Sequence, residues 1–169
     1  MKKILVSGLV NLETSVHVNS FPINYSPIEY SFFGVESFVS GVGFNITKAL
    51  KTLGDDVSLL TEVGDDVTGE LILSEIENIG VKANNCIVYK DRQSATSVVF
   101  VDKQGKRKIY CDLKDIQERT PLDINIIDLN KFDLLVMTNI NFNRKLIIEA
   151  SERSLLIASD VHTLSNIDD

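Results

Sequence analysis

The stretch from Ser40 to Gly69 constrains the fold of this chain more than any other. Gly41 and Gly43 flank Val42, and at both positions the missing Cβ permits a positive φ or a close approach of another group to the backbone. Asn45 opens a helical pattern in which Ile46, Ala49, Leu50 and Leu53 recur at i, i+3, i+4 and i+7, which predicts one shared apolar face. Gly54 is placed to stop that helix as the first residue beyond its cap. A strand over Val57 to Val63 is expected next. Gly64-Asp65-Asp66 then reads as a tight turn that sets carboxylates at the positive end of a second helix. That helix is predicted from Val67 to Ile79, with Ile72, Ile76 and Ile79 as its apolar stripe and Gly80 as its stop. Helix, strand and helix joined by polar turns are the rhythm of an α/β fold.

Three other readings of the glycines compete. A dinucleotide fingerprint needs a third glycine three residues after the second and a strand immediately upstream, whereas Ile46 stands in that place and the nearest early strand, Ile4 to Leu9, lies far away. A phosphate-binding P-loop needs a Gly-Lys-Ser/Thr ending that this chain lacks. The third reading makes the glycines turn and packing residues only.

The flanking sequence fits the same class. Ile4-Leu5-Val6, bounded by Ser7-Gly8, reads as a buried parallel strand, and Asn11 and Glu13 follow its carboxyl end, where open α/β sheets bind ligands. The alternative for these two side chains is loop capping. Val16 and Val18 alternate with polar neighbours as in a half-wet strand. Phe21-Pro22, Pro27 and the aromatics Tyr25, Tyr30, Phe32 and Phe33 then make an irregular stretch leading to Val35–Val39. Ile87 to Tyr89 is a short strand. Ala95 to Val101 and Lys106 to Tyr110 form a hairpin about Asp102-Lys103-Gln104-Gly105. Asp115 to Asn130, broken at Thr120-Pro121, reads as a connector. A strand (Asp133 to Met137), a helix (about Asn143 to Glu152) and a strand (Leu155 to Ala158) restore the α/β rhythm, putting Thr138, Asn139 and Asp160 at strand ends. Asp160 with His162 invites an acid–base reading, and His17 a weaker one, but no nucleophile or third group accompanies either.

Charge and composition exclude several functions. With 24 acidic against 17 basic residues, a net charge of -7 and no basic cluster beyond the Lys103–Lys108 turn, the chain offers no nucleic-acid surface. At 169 residues and 44% hydrophobic content it fits one globular domain. No apolar window approaches a membrane span. Met1-Lys2-Lys3-Ile4 runs into a strand without a signal-peptide pattern, and Cys86 and Cys111 lack metal-ligand spacing, so buried or free thiols in a cytoplasmic protein are expected.

Ser40-Gly41-Val42-Gly43-Phe44-Asn45, a helix closing in Leu53-Gly54, and Val63-Gly64-Asp65-Asp66-Val67-Thr68-Gly69 together resemble the first signature of the ribokinase/PfkB family of carbohydrate kinases. Ser40 departs from that signature's first glycine. Glu13 departs from the aspartate that follows the family's sugar-binding asparagine, matched here by Asn11, by two residues. The resemblance implies a ribokinase-like three-layer α/β sheet, present in part, with a small β lid built from segments near 13–39 and 93–111. It implies a sugar site formed by Asn11, Glu13, Gly41, Gly43, Asn45 and Asn139. It also implies ATP-dependent phosphorylation of a sugar or nucleoside hydroxyl, with Mg²⁺ as the metal, and pairing of two copies through the lid. The family's second signature, a Gly-Ala-Gly-Asp run that holds the transferring phosphate and supplies the proton-accepting aspartate, has no counterpart here, nor has its magnesium-associated Asn-x-x-Glu. The expectation is a sugar-binding half without the ATP half and inactive alone. The alternative is a non-catalytic remnant that senses a polyol or binds a partner.

Overall fold

The computed structural model describes residues 2–117 and 123–160. Among them the chain forms β1 (Lys3–Ser7), β2 (Asn11–His17), β3 (Val35–Ser40), α1 (Val42–Thr52), β4 (Asp56–Gly64), α2 (Val67–Asn78), β5 (Cys86–Tyr89), β6 (Thr96–Val101), β7 (Arg107–Asp112), β8 (Leu134–Met137), α3 (Arg144–Glu152) and β9 (Leu156–Ser159). The main sheet is parallel throughout, in the order β5-β4-β1-β8-β9. Its strands are apolar at successive positions because both faces are covered. Ile4 and Val6 of β1, with Leu59 of β4 and Val136 of β8, pack toward Phe44, Ile72 and Ile76 of α1 and α2. Leu5, Leu60, Leu135 and Met137 point the other way, toward Phe142, Leu146 and Ala150 around α3. Two cores on one sheet make the three-layer α/β/α arrangement.

A second sheet, ordered β3-β2-β6-β7, stands off the first. Its β3–β2 and β6–β7 pairs are antiparallel, while β2 and β6 run parallel. The turn between β6 and β7 follows its side-chain chemistry: Asp102 Oδ1 accepts from the amides of Gln104 and Lys106, and Gly105 takes φ 80°.

The helix ends are local events. After α1, Gly54 takes φ 90° while its amide donates to Lys51 O and that of Asp55 donates to Leu50 O. After α2, Gly80 and Val81 repeat the pattern on Glu77 O and Ile76 O, and after α3 Ser154 does so with φ 54°. Each pair of bonds satisfies carbonyls that the helix itself leaves open.

Two boundaries differ from the sequence reading, for physical reasons. Helix α1 begins at Val42, three residues before Asn45, because Gly41 at φ 99° turns the chain from β3 directly into it. Its buried face is therefore Gly43, Phe44 and Thr47, with Ile46 and Leu50 partly covered, while Ala49 is exposed and Leu53 is 78% exposed. The helix is rolled this way by Gly43, where a Cβ would stand 2.6 Å from the carbonyl carbon of Gly8. Strand β2 begins at Asn11 rather than near Ser15, so Asn11 and Glu13 lie on the second sheet instead of in a loop beyond β1. The break expected at Thr120-Pro121 lies outside the described residues.

Candidate functional site

From β1 the chain first builds outward through β4 to β5, then returns to the other side of β1 to lay down β8 and β9. The direction of winding reverses at β1. At such a point the connections leave adjacent strand tips in opposite directions, and a crevice opens beyond their carboxyl ends. A cleft of about 430 Å³ occupies this position. Leu9, Thr138, Asn139 and Ile140, just past β1 and β8, line it from the main sheet. Ser40, Gly41, Val42 and Asn45 line it from the β3–α1 junction, and Asn11, Glu13, Ser97 and Cys111 from the second sheet.

The second sheet reaches the cleft because only Gly8-Leu9-Val10 separate β1 from β2. Asn11 and Glu13, two apart on a strand, share one face. The ladders set Ser97 beside Glu13 and Cys111 beside Ser97, so three polar side chains cross the sheet in a row. Asn11 is 3% exposed. Its Nδ2 donates to Ser97 Oγ at 2.8 Å, and that hydroxyl donates to Glu13 Oε2 at 3.5 Å. The chain of donors is thereby oriented toward the carboxylate, and Asn11 Oδ1 is left buried without a partner. Burial, and then the charge of Glu13, push the Cys111 thiol up, so it stays protonated at neutral pH.

Five of the six residues expected at the site line this cleft: Asn11, Glu13, Gly41, Asn45 and Asn139. At Gly41 a Cβ would lie 2.6 Å from Leu9 O, so the glycine serves both the positive φ and a close backbone approach. Gly43 does not line the cleft. It seats α1 against Gly8 and donates its amide to Leu9 O at 3.0 Å. His17, at the far end of β2, and Asp160 are not among the lining residues, and His162 lies outside the described residues.

Sequence reasoning missed the residues that hold the site in shape. Asn143 accepts from Ser7 Oγ at 2.5 Å and donates to Ser7 O at 3.0 Å and Thr138 O at 2.8 Å, tying the tips of β1 and β8 to the start of α3. Gln117, which also lines the cleft, is joined to Asn141: its carbonyl accepts from Asn141 Nδ2 at 2.5 Å and its Oε1 from the Asn141 amide at 3.2 Å. Asp66 caps α2 and binds Ser94 at the entry to β6. Of these roles only the Asp66 cap was expected from the sequence; its bond to Ser94, 28 residues on, was not.

Chemically the cleft is a hydrogen-bonding pocket with an apolar wall, carrying among the described residues one carboxylate, Glu13, and amides and hydroxyls that can each donate or accept. Among the described residues no group of three or more His, Cys, Asp or Glu side chains converges as metal ligands would.

Comparison with known proteins agrees with this architecture. Residues 1–162 match the pfkB family carbohydrate kinase pattern. The bifunctional ribokinase/ribose-5-phosphate isomerase A of Fructilactobacillus sanfranciscensis is 24% identical over 125 residues, covering 74% of this chain and 23% of that protein. A microbiome-derived acarbose kinase, Mak1, superposes with a TM-score of 0.84 at 18% identity, over 99% of this chain and 55% of that one. Arabidopsis thaliana ribokinase complexed with ribose and ATP superposes with a TM-score of 0.80 at 15% identity, over 98% of this chain and 55% of that one. At such identities these two structures speak to the fold alone. The chain thus spans about a quarter of the curated relative and about half of the solved kinases. With the family pattern matched along nearly its whole length, the chain belongs to the pfkB family of carbohydrate kinases.

Proposed function

We propose that this chain holds the acceptor sugar or nucleoside for ATP-dependent phosphorylation of one of its hydroxyl groups. The observation that carries the reading is the unpaired Oδ1 of Asn11, in a residue 3% exposed on the wall of the cleft. A buried acceptor left without a donor costs about 1–3 kcal/mol, and a polyol hydroxyl supplies that donor. Glu13 accepts from a neighbouring hydroxyl. Asn45 and Asn139 provide amides on the opposite walls, and Leu9, Val42 and Ile140 offer the apolar surface on which the C–H face of a sugar ring rests. The extra methylene of Glu13, relative to the family's aspartate, carries its carboxylate across to the Ser97 hydroxyl and alters the space left for the sugar.

The second sheet acts in this reading as a lid, which excludes water from the reacting hydroxyl. ATP is the phosphoryl donor in the proposed reaction, and Mg²⁺ neutralises charge on its phosphates when bound. The described residues do not fit a magnesium cage, because no acidic cluster converges among them. The face of the second sheet turned away from the cleft carries exposed Val35 and Tyr110, and pairs with a second copy in the proposed assembly. No helix among the described residues is long and apolar enough to cross a membrane, and the proposed location is the cytoplasm.

Ligand-detected NMR with a panel of pentoses, hexoses and nucleosides tests the sugar assignment directly. At least one panel member should bind the purified chain, and Asn11→Ala should weaken it roughly 5- to 150-fold, the equivalent of about 1–3 kcal/mol. Failure of the whole panel, or unchanged affinity in the variant, would overturn it.

A further inference from the structure

We propose that Ser97 is a positioning residue that sets the ligand specificity of the cleft: by fixing Asn11 against Glu13 it makes the second-sheet wall an acceptor, so that the group bound there must donate. The inference rests on the function proposed above and says which property of the bound molecule that wall recognises.

Ser97, on β6, lies directly beside Glu13 of the neighbouring strand β2 and is 4% exposed on the wall of the cleft. A hydroxyl carries one proton and accepts through two lone pairs, whereas an ionised carboxylate only accepts. The proton of Ser97 goes to Glu13 Oε2, with an O–O distance of 3.5 Å. With its proton committed, Ser97 can meet Asn11 only as an acceptor. The Asn11 carboxamide therefore presents its NH₂ end, and Nδ2 donates to Ser97 Oγ at 2.8 Å. The opposite orientation would set Oδ1 against an oxygen whose proton is engaged elsewhere. In a residue 3% exposed, two acceptors in contact with no water between them is the costlier state. The charge on Glu13 thus decides, through one hydroxyl, which end of the Asn11 amide stays open, and Oδ1 is the atom left without a partner.

This orientation has a chemical consequence. A freely turning asparagine offers a donor or an acceptor and suits either kind of ligand atom. Anchored on Ser97, Asn11 offers an acceptor only, and ionised Glu13 beside it does the same. A ligand hydroxyl satisfies this wall by donating. An atom with lone pairs and no proton meets lone pairs, and a site built to hydrogen-bond a hydroxyl rejects an analogue without that proton far more strongly than it rejects a change in apolar bulk. Ser97 has this effect through the two side chains it orients, and no residue next to it in sequence announces the role, because Asn11 is 86 residues away.

Two measurements test the proposal. In the ¹⁵N-labelled chain without ligand, the Asn11 side-chain amide should give two separated proton signals, one of them shifted downfield and slow to exchange because it is bonded to Ser97. Both features should vanish in Ser97→Ala and survive in Ser97→Thr. Ligand-detected NMR then compares ribose and adenosine with analogues in which fluorine replaces one ribose hydroxyl at a time, since fluorine keeps lone pairs in a similar volume but cannot donate. At one position or more the wild type should bind the fluoro analogue at least about tenfold more weakly than its parent, a ratio that should fall below about threefold in Ser97→Ala and return in Ser97→Thr. A serine that only fills space would lower the melting temperature of the alanine variant and leave this ratio unchanged, which overturns the proposal. Equal binding of every fluoro analogue by the wild type, or Asn11 amide signals that ignore the alanine substitution, overturns it too, while the parent ligand still binds and the sugar assignment stands. Binding of neither ribose nor adenosine removes the sugar assignment together with the specificity drawn from it.

Discussion

Asp66 offers the sharpest test of how the family signature near Gly64 acts. Its Oδ1 accepts from the Gly69 amide at 2.7 Å and from Ser94 Oγ at 2.7 Å, and its Oδ2 accepts from the Ser94 amide at 2.9 Å. One carboxylate therefore caps α2 and clamps the segment that enters the second sheet 28 residues later. Asp66→Ala removes the cap, at about 1 kcal/mol, and leaves the amide of buried Ser94 without an acceptor, at about 1–3 kcal/mol. The sum, roughly 2–4 kcal/mol, is a large part of the 5–15 kcal/mol typical of a domain and corresponds to a melting temperature lower by roughly 4–16 °C. Asp66→Asn keeps an oxygen for Gly69 but turns an N–H group toward the Ser94 amide, so it should fall between wild type and alanine. Burial raises the Asp66 pKa, but the bonds from the Ser94 amide, the Ser94 hydroxyl and the Gly69 amide, with the Lys114 charge, outweigh it and hold the group below its ordinary 3.8. A carboxylate depressed in the folded state contributes stability that is complete above its unfolded pKa and is lost as pH falls through the folded value. The gap between wild type and Asp66→Asn in urea midpoint should therefore be constant from neutral pH to about 4 and narrow below that. An alanine variant with the wild-type midpoint, or a gap that ignores pH down to 2, would refute the clamp.

Gly43→Ala should destabilise the chain by about 1–3 kcal/mol in urea denaturation, because the new methyl would stand 2.6 Å from the carbonyl carbon of Gly8 and neither backbone can yield cheaply. Ser154→Gly should stabilise it by about 0.5–1 kcal/mol, since Ser154 takes φ 54° at the end of α3, where Gly54 and Gly80 serve the other two helices. Light scattering should show a dimer for the wild type and a monomer for a variant carrying Val35→Glu with Tyr110→Glu, two exposed positions on the outer face of the second sheet. A wild type that stays monomeric at high concentration excludes that interface.

Helix α2 was legible because everything that defines it is close in the chain. Asp66 caps it, Ile72 and Ile76 repeat on its buried side, and Gly80 ends it. Helix α1 has the same kinds of signal and was still misread by three residues and by part of its face. The residue that sets its roll, Gly43, acts through a contact with Gly8, and a missing Cβ does not announce which backbone will approach it. The same holds at Gly64, where a Cβ would meet Arg92 O at 2.3 Å, so a glycine read as a turn residue is also where the 92–94 segment passes.

Period, turn chemistry and capping act over a few residues, and from them the sequence by itself determined the α/β class, most strand and helix positions, and the ordered pattern that marks the family. Tertiary structure alone decided what Asn11 and Glu13 face and with whom they bond. Ser97 is 86 residues from Asn11, and Asn143 is 136 residues from Ser7. A hydrogen bond across such a separation leaves no trace in local spacing, because its partners meet only after the winding direction has reversed at β1 and the second sheet has folded over the strand tips. The unpaired oxygens of Asn11 and Thr138 are likewise products of burial, which acts on a side chain only once the rest of the molecule has closed around it.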